Sequence, residues 1–473
     1  MSSALHKISQ YSIRNLSIVA IVLFLIISMA YRDSNRRYRQ DPGIISYDMA
    51  GYYAYMQAFW LNGDYSFSFL TSRSHQSGLV HMQDAKGEHV FVNKYSVGPA
   101  IMLSPFFLLG HLESYYQEVP HDGFSYTYRF WMCTGALLYA MLALLILRKL
   151  LLTYFDDKVV ASVLVVFIFG TNLWHYTVDQ PIMSHVYSFF LFGLAIWCSQ
   201  CWLKSSKWRY LIALALTCGL IGVTRLPNMV FFLVPVFWGV YNGESLKERF
   251  LFLMKNWKQI IVGLFVFLIP FVPQVAYWHS QTGFFWVEAY SENNENMYWL
   301  QPMIAEVLIG YRKGWLIYTP AMLLGLVGFY PLYKQYKSIM PVLLVYLCIN
   351  IYVVACWGCY WYGGSFGMRA LIESSIVLSY PMAALFHKAY QVVWSTILLS
   401  LVSLSLITLN QIQTLQINQG VLHWGEMSRE AYWTIFCKIP PLSEEEMKER
   451  DAYLLKANPW EESSRKVYQQ SIW

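Results

Sequence analysis

The chain has 473 residues, of which 56% are hydrophobic and only 13% charged, about half the charged fraction of ordinary soluble domains. This composition excludes a soluble globular protein and predicts an all-α polytopic membrane protein, because helices satisfy their own backbone hydrogen bonds in lipid. The formal charge of +6 is small and no interior basic run is present, so the sequence predicts no nucleic-acid partner.

The N-terminal segment carries Lys7 and Arg14 and continues into the apolar run LSIVAIVLFLIISMAY. The polar stretch RDSNRRYRQ follows, where a secreted protein would have a small-residue cleavage motif. We therefore expect a retained signal anchor as the first membrane helix.

Apolar runs of about 20 residues are long enough to cross a bilayer as helices. Eleven stretches approach this length and predict about eleven transmembrane helices, near 15–31, 129–148, 159–176, 183–203, 210–224, 228–242, 259–279, 316–332, 339–356, 370–386 and 391–409. A further apolar run, 96–112, contains Pro99 and Pro105 and is predicted to lie along the membrane surface.

Basic residues predict the orientation of these helices, because short cytoplasmic loops are enriched in Lys and Arg. One side collects basic residues from Lys7 to Lys388, whereas the short loops on the other side hold Arg225, Arg312, Lys313 and Arg369. We expect the N-terminus inside and the C-terminus outside. The four arginines of RDSNRRYRQ oppose this pattern, but they lie in a long loop, which obeys the rule less strictly.

This topology predicts two parts. Residues 1–409 form the transmembrane domain, which includes a long first outer loop, 32–128, with surface-lying helices. Residues 410–473 form a small extracytoplasmic tail, which is polar and contains the stretch SEEEMKERD.

Unusual polar and aromatic residues all map to the predicted outer ends of the helices. They are Asp48, Tyr52, Tyr53, Glu88, Asn93, Lys94, Tyr95, Asp179, His185, Arg225, Asn228, Arg312, Trp361, Arg369 and Glu373. Each alone has a structural explanation: Arg225 can extend to the membrane interface, His185 can be a bonded core residue, and Asp48 can pair with a nearby arginine. Their common location favours a cavity with a function, since ionisable residues at membrane depth usually line one.

The charges of these side chains indicate what kind of substrate the cavity would bind. The cations Lys94, Arg225, Arg312 and Arg369 suit a phosphate or diphosphate. One carboxylate beside an aromatic wall, Asp48, suits a general base, and the aromatic rings suit stacking on a sugar. The set therefore predicts glycosyl transfer from a lipid-linked donor. The outer acids are scattered, so no metal and no other cofactor is predicted.

The sequence resembles the GT-C glycosyltransferases, and within them the bacterial protein O-mannosyltransferase-like and aminoarabinose-transferase-like group. The resemblance covers residues 44–385 and is carried by the stretches YDMAGYYAYMQAFWLNGD, VFVNKYSVGPAIMLSPFFLLGH, GTNLWHYTVDQPIMSHVYSFFLF, TRLPN, YRKGWLIYTPAMLLGLVG and WYGGSFGMRALIESSIVL. It implies a multi-helix enzyme of the bacterial cytoplasmic (inner) membrane. It also implies a polyprenyl-phosphate sugar as donor and a lipid, glycan or protein as acceptor.

The resemblance also implies roles for residues. Asp48 matches the family's first-loop acid, which acts as base or organises the acceptor, although many members have two adjacent acids there and this chain has one. Asn93 and Lys94 match an NKPP-type stretch whose lysine meets the donor phosphate, with Tyr95 and Ser96 in place of the two prolines. The family also has a surface-lying helix after this motif.

These roles imply a single displacement with inversion at the sugar. Asp48 takes the acceptor proton, and Lys94 with Arg225 or Arg369 stabilises the departing phosphate. Two other classes remain open: a transporter or flippase of lipid-linked sugars, which would favour inverted repeats and mid-membrane polar sites, and a GT-C-fold assembly subunit without catalytic activity.

Overall fold

The computed structural model describes residues 15–40, 42–290 and 295–455, and most of these residues are helical. The first part of the chain contains α1 Leu16–Asn35, α2 Arg37–Gln40, α3 Tyr47–Gln57, α4 Arg73–Gln76, β1 Leu79–Gln83, β2 His89–Asn93, α5 Gly98–Tyr116, α6 Tyr126–Leu151 and α7 Asp157–Phe169. The middle part contains α8 Leu173–Val178, α9 His185–Ser205, α10 Trp208–Thr224, α11 Leu233–Phe237, α12 Gly243–Lys255, α13 Trp257–Leu268 and α14 Val272–Thr282. The last part contains α15 Ile304–Ile309, α16 Trp315–Tyr318, α17 Met322–Val327, α18 Phe329–Gln335, α19 Met340–Cys356, α20 Ser375–Ala389, α21 Val393–Asn418, α22 Arg429–Ile435 and α23 Glu444–Ala452.

Helices long and apolar enough to cross a membrane confirm the general prediction of a membrane protein. Within the described ranges there are five, Leu16–Gln40, Tyr126–Leu151, His185–Ser205, Trp257–Thr282 and Val393–Asn418, and three shorter apolar helices accompany them. The count of eleven stays a prediction. The predicted span 316–332 is not one continuous helix: it is divided into α16, α17 and α18. Pro320 lies in the first break, and proline lacks the backbone N–H that helix continuity requires.

The run predicted as a surface-lying helix, 96–112, forms α5 over Gly98–Tyr116 with Pro105 inside it. Its first three turns are largely buried, and Gly110 packs closely on the backbone of Tyr128 in α6. Its last turn is open, with Leu112 and Tyr116 strongly exposed. The helix therefore packs on a neighbour over most of its length.

A two-stranded sheet corrects the prediction of an all-α fold. β1 and β2 pair antiparallel, with Leu79 opposite Asn93 and Gln83 opposite His89. The turn between them is held by the Asp84 carboxylate, which accepts hydrogen bonds from the amides of Lys86 and Glu88, both at 2.8 Å. The hairpin brings Asn93 and Tyr95 against the first turns of α3.

The last long helix runs to Asn418, nine residues beyond the predicted boundary at 409. After it, α22 and α23 begin at side-chain caps, Ser428 and Ser443. The buried guanidinium of Arg450 donates to the carbonyl of Gly420 at 3.0 Å. The part of the predicted tail that the structure describes is thus a packed helical segment.

Contacts divide the chain into two compact units, each built from several stretches. The loop unit comprises residues 23–146 and 176–295 and includes the hairpin. The tail unit comprises residues 1–22, 147–175 and 296–473. The predicted site residues are distributed over both units.

Candidate functional site

Asp48 lies in the first turn of α3, directly after Tyr47, whose φ of 51° turns the chain into the helix. A carboxylate at this position is favoured by the positive end of the helix dipole. The phenol of Tyr95 donates a hydrogen bond to Asp48 Oδ1. Asp48 as a whole is half-buried.

Close packing holds Tyr95 in place. A Cβ added at Gly51 or at Gly78 would collide with the Tyr95 ring, so the two glycines leave the space that the ring occupies. Asn93 ties the same segment to α3: its side chain donates to the Gly51 carbonyl at 2.7 Å and accepts from the Tyr95 amide at 3.1 Å. The carbonyl of Tyr95 accepts from the phenol of Tyr55 at 2.7 Å. Asn93 is thus a structural clamp for the Lys94–Tyr95 segment.

Lys94 forms an ion pair with Glu295, with Nζ 3.0 Å from Oε1. The two side chains are only 10% and 9% exposed, so the pair is largely withdrawn from water. The ammonium also lies 5.6 Å and 5.5 Å from the ring centroids of Tyr95 and Tyr290, within cation–π range. Sequence reasoning missed Glu295, which lies in the featureless polar stretch SENNEN.

Tyr290, also missed, is the common neighbour of the predicted site residues in the loop unit. Burial raises the pKa of Tyr290 well above its ordinary value, and Tyr52, Glu295 and Asp48 raise it further while Arg225 lowers it. The Tyr290 ring lies 6.4 Å from that of Tyr95, centroid to centroid, and 5.5 Å from the Lys94 ammonium. Tyr52 also packs against Tyr95 with ring centroids 4.9 Å apart. Since burial, then Asp48, likewise raises the pKa of Tyr95, both phenols are protonated donors at neutral pH.

Arg225 follows the last turn of α10 in an extended conformation and contacts His185, with Nη1 3.0 Å from Nδ1. Ser96 positions this corner by donating to the carbonyl of Thr224 at 2.9 Å. Asn228 donates to the hydroxyl of Ser188 at 3.2 Å. The residues of TRLPN therefore pack on α9 and on the segment after Lys94.

Three other predicted residues of the loop unit have structural partners. The Tyr53 phenol donates to the Gly123 carbonyl at 2.5 Å. Asp179 is buried and pairs with Arg37 at 3.1 Å. Glu88 is exposed at the end of the hairpin turn. Packing and turn formation account for these positions.

The tail unit contains a second cationic cluster. The Arg312 guanidinium lies 3.8 Å from the Trp361 ring centroid, and its Nε donates to the Gly425 carbonyl at 2.7 Å. Lys313, which had no predicted role, donates to the carbonyls of Ser365 and Trp424. Burial lowers the pKa of Lys313 well below its ordinary value, and the charges of Arg312 and Arg369 lower it further.

The last predicted residue, Glu373, is buried in the tail unit two residues before α20. Over the described ranges, no three His, Cys, Asp or Glu side chains are grouped as metal ligands would be. The absence of a metal requirement stays a prediction. The loop unit brings together Asp48, the Lys94–Glu295 ion pair and three tyrosines, and the Ser96–Thr224 hydrogen bond joins the Arg225 corner to them. This set suits acid–base chemistry beside an anion.

The chain matches no known protein family and no curated protein. Two similar solved structures come from Archaeoglobus fulgidus: the archaeal oligosaccharyltransferase AglB in complex with an inhibitory peptide and a dolichol-phosphate, with a TM-score of 0.45, and the oligosaccharyltransferase of that organism in the apo form, with a TM-score of 0.49. Each is 12% identical, and the match covers 94% of this chain and 60% of the other. At these values the likeness assigns neither activity nor substrate to this chain.

Proposed function

We propose that this protein is a membrane glycosyltransferase, which moves a sugar from a polyprenyl-phosphate donor to an acceptor outside the cytoplasmic membrane. The observation that carries the proposal is the contact between Asp48 and the protonated phenol of Tyr95, beside the ammonium of Lys94. A carboxylate and a cation a short distance apart match the two ends of a displacement at the anomeric carbon. One accepts a proton, and the other stabilises a leaving phosphate.

In this mechanism Asp48 accepts the proton of an acceptor hydroxyl or amine as that group attacks the anomeric carbon. The bond from that carbon to the phosphate oxygen breaks, its electron pair stays on the phosphate, and the configuration inverts. A positioned donor for the developing negative charge contributes about 3 kcal/mol. Lys94 fits this role in the loop unit. Arg225 supplies a second positive charge, since the Ser96–Thr224 hydrogen bond joins its corner to the segment after Lys94.

The tyrosines suit the sugar. Tyr52 and Tyr95 present packed rings, and Tyr290 lies beside the carboxylate and the ion pair. Rings with a polar tip combine an apolar face with a hydrogen-bond donor, as sugar recognition requires. The acceptor class is lipid, glycan or protein, and no cofactor is needed for the displacement. Arg312 and Arg369, in the tail unit, remain predicted ligands of the donor phosphate. Measurement of the KM for the donor in Arg369→Gln tests this prediction.

The decisive experiment measures sugar transfer in reconstituted membranes with extracted native lipids as donor and acceptor. Wild type, Asp48→Asn and the control Glu118→Gln, an exposed acid of the same outer loop, are compared at equal folded abundance. We expect transfer by wild type and the control but not by Asp48→Asn. Equal transfer by all three would show that Asp48 is structural. If no variant transfers sugar but lipid-linked sugar crosses the bilayer, the protein is a transporter.

One observation favours a second candidate, an assembly subunit without catalytic activity. Glu295 already pairs with the Lys94 ammonium, which is the cation that a donor phosphate would need. For the enzyme, donor lipid must bind with measurable affinity and Lys94→Gln must weaken that binding. Absence of donor binding by wild type, together with absence of transfer, would support the subunit.

A further inference from the structure

Helix α12, with the sequence GESLKERFLFLMK, carries no buried residue although it lies within the folded loop unit. A capping box stabilises its start: the Asn242 side chain accepts from the Ser245 amide at 2.8 Å, and the Ser245 hydroxyl bonds back. A capped helix with an uncovered surface raises the question of what lies against it.

The exposed apolar residues of α12 share one face. Leu246, Phe250, Leu251 and Met254 are 48%, 62%, 56% and 57% exposed. With 100° of rotation per residue, these four positions fall within an arc of about 140°. Large exposed apolar side chains grouped in this way mark an interaction surface.

The opposite face fixes the helix to the rest of the unit. Arg249 donates to the carbonyls of Val236 and Trp238 at 2.8 Å and 2.6 Å. The ring of Phe252 lies 5.1 Å from that of Trp202, centroid to centroid. Since these contacts set the rotation of the helix about its axis, the apolar arc faces outward.

The covalent neighbours of α12 indicate what the arc meets. One residue, Asn256, separates α12 from the 26-residue candidate span Trp257–Thr282. A helix joined so closely to the end of a span lies at the level of the lipid headgroups. Exposed Trp257 is a residue typical of that level.

The charges agree with a lipid surface. Lys247, Lys255 and Lys258 are all exposed. Lys247 projects from within the apolar arc, Lys255 lies about 40° beyond its edge, and Lys258 follows the helix. Helices with an apolar face and lysines beside it lie in the interface plane and are attracted by anionic lipids. We propose that α12 is an interfacial helix whose apolar arc enters the bilayer surface while its lysines bind anionic lipid headgroups. This surface is separate from the candidate catalytic site.

The test uses the full chain, one copy per nanodisc, in phosphatidylcholine with one quarter phosphatidylglycerol. A benzophenone amino acid replaces Phe250, or Met254 as a second reporter, and Glu248 outside the arc is the control position. After illumination, mass spectrometry measures lipid adducts. We expect at least 10-fold more adducts at positions 250 and 254 than at 248, enriched in the anionic lipid. Lys247→Gln with Lys255→Gln should return the anionic fraction to that of the bulk.

Equal adduct yields at 250, 254 and 248 would overturn the proposal, as would an anionic fraction unaffected by the lysine substitutions. Discs that hold two copies give the remaining outcome. Crosslinks from position 250 to the second chain, in place of lipid adducts, would show that another protein copy covers the arc.

Discussion

The phenol of Tyr95 donates a hydrogen bond to the carboxylate of Asp48, across 47 residues of sequence. The bond joins the first turn of α3 to the segment that follows the hairpin, and Asn93 and the Gly51 carbonyl reinforce the same junction. Asp48 is therefore positioned by long-range packing, which makes its environment sensitive to substitutions that leave the carboxylate itself intact.

Tyr95→Phe removes the phenolic hydroxyl but keeps the ring that packs on Tyr52. A hydrogen bond to a charged group contributes about 1.5–3 kcal/mol, so transfer activity should fall about 10- to 160-fold. Initial rates of sugar transfer measure the effect. Tyr128→Phe, which removes another phenol hydrogen bond of the loop unit, is the control and should retain activity. Full activity of Tyr95→Phe would show that this bond does not support Asp48.

Gly51→Ala places a methyl group in the space of the Tyr95 ring. The ring must move, and overpacking of this kind costs about 1–3 kcal/mol. We expect a lower thermal midpoint and a loss of transfer activity similar to that of Tyr95→Phe. Gly243→Ala is the matched control, because a Cβ there meets no atom within 4 Å. Wild-type stability of Gly51→Ala would mean that the Tyr95 ring can adopt another position without a loss of stability.

A double-mutant cycle measures the coupling between Lys94 and Glu295. Removal of one partner leaves the other charge buried and uncompensated, at a cost of about 3 kcal/mol. Lys94→Gln and Glu295→Gln should therefore each lower the thermal midpoint, whereas the double variant should recover much of it. Transfer activity separates the roles: the double variant should stay inactive, because the phosphate ligand is gone. Additive losses of stability would contradict a coupled pair.

The contacts of His423 lead us to predict that the stability of a turn in the tail unit depends on pH. Its Nδ1 accepts hydrogen bonds from the amides of Gly425 and Glu426 at 3.2 Å and 3.0 Å. Burial, as the main cause, lowers the pKa of His423 below its ordinary 6.5. A neutral His423 thus stabilises the folded state above pH 6.5, and this contribution is lost as the pH falls through the lowered pKa.

Hydrogen exchange of the 423–426 turn, corrected for intrinsic rates, should accelerate between pH 7.5 and pH 5. His423→Asn keeps an acceptor without a titrating ring, so its corrected exchange should not depend on pH in this range. Equal pH dependence in the variant and wild type would assign the effect to another group.

Composition was sufficient to predict helices long and apolar enough to cross a membrane, but not to show where each one breaks. The mean hydropathy of residues 316–332 does not show that Pro320 interrupts the backbone hydrogen bonds of the helix. The hairpin was missed although a signal existed: HVFVN is rich in β-branched and aromatic residues, and DAKGE is a turn sequence. The expectation of an all-α fold outweighed that local pattern.

The candidate site was predicted in part. The predicted topology put Asp48, Lys94 and Arg225 on one side of the membrane. In the loop unit, Asp48 bonds to Tyr95, the neighbour of Lys94, and Ser96 bonds to Thr224, the neighbour of Arg225. Glu295 could not be found in this way, because it contacts Lys94 across 201 residues and lies in a stretch without periodicity. Lys313 was seen only as the neighbour of Arg312; its burial depends on carbonyls from two distant segments.

The ion pair of Lys94 has a consequence for how the protein is made. Its carboxylate lies 201 residues after its ammonium, and Tyr290 lies only five positions before that carboxylate. Translation therefore delivers the base and the cation long before the groups that enclose them. A chain that stops short of residue 290 inserts its early helices with Lys94 still lacking this partner, so premature termination there leaves an anchored but unassembled site.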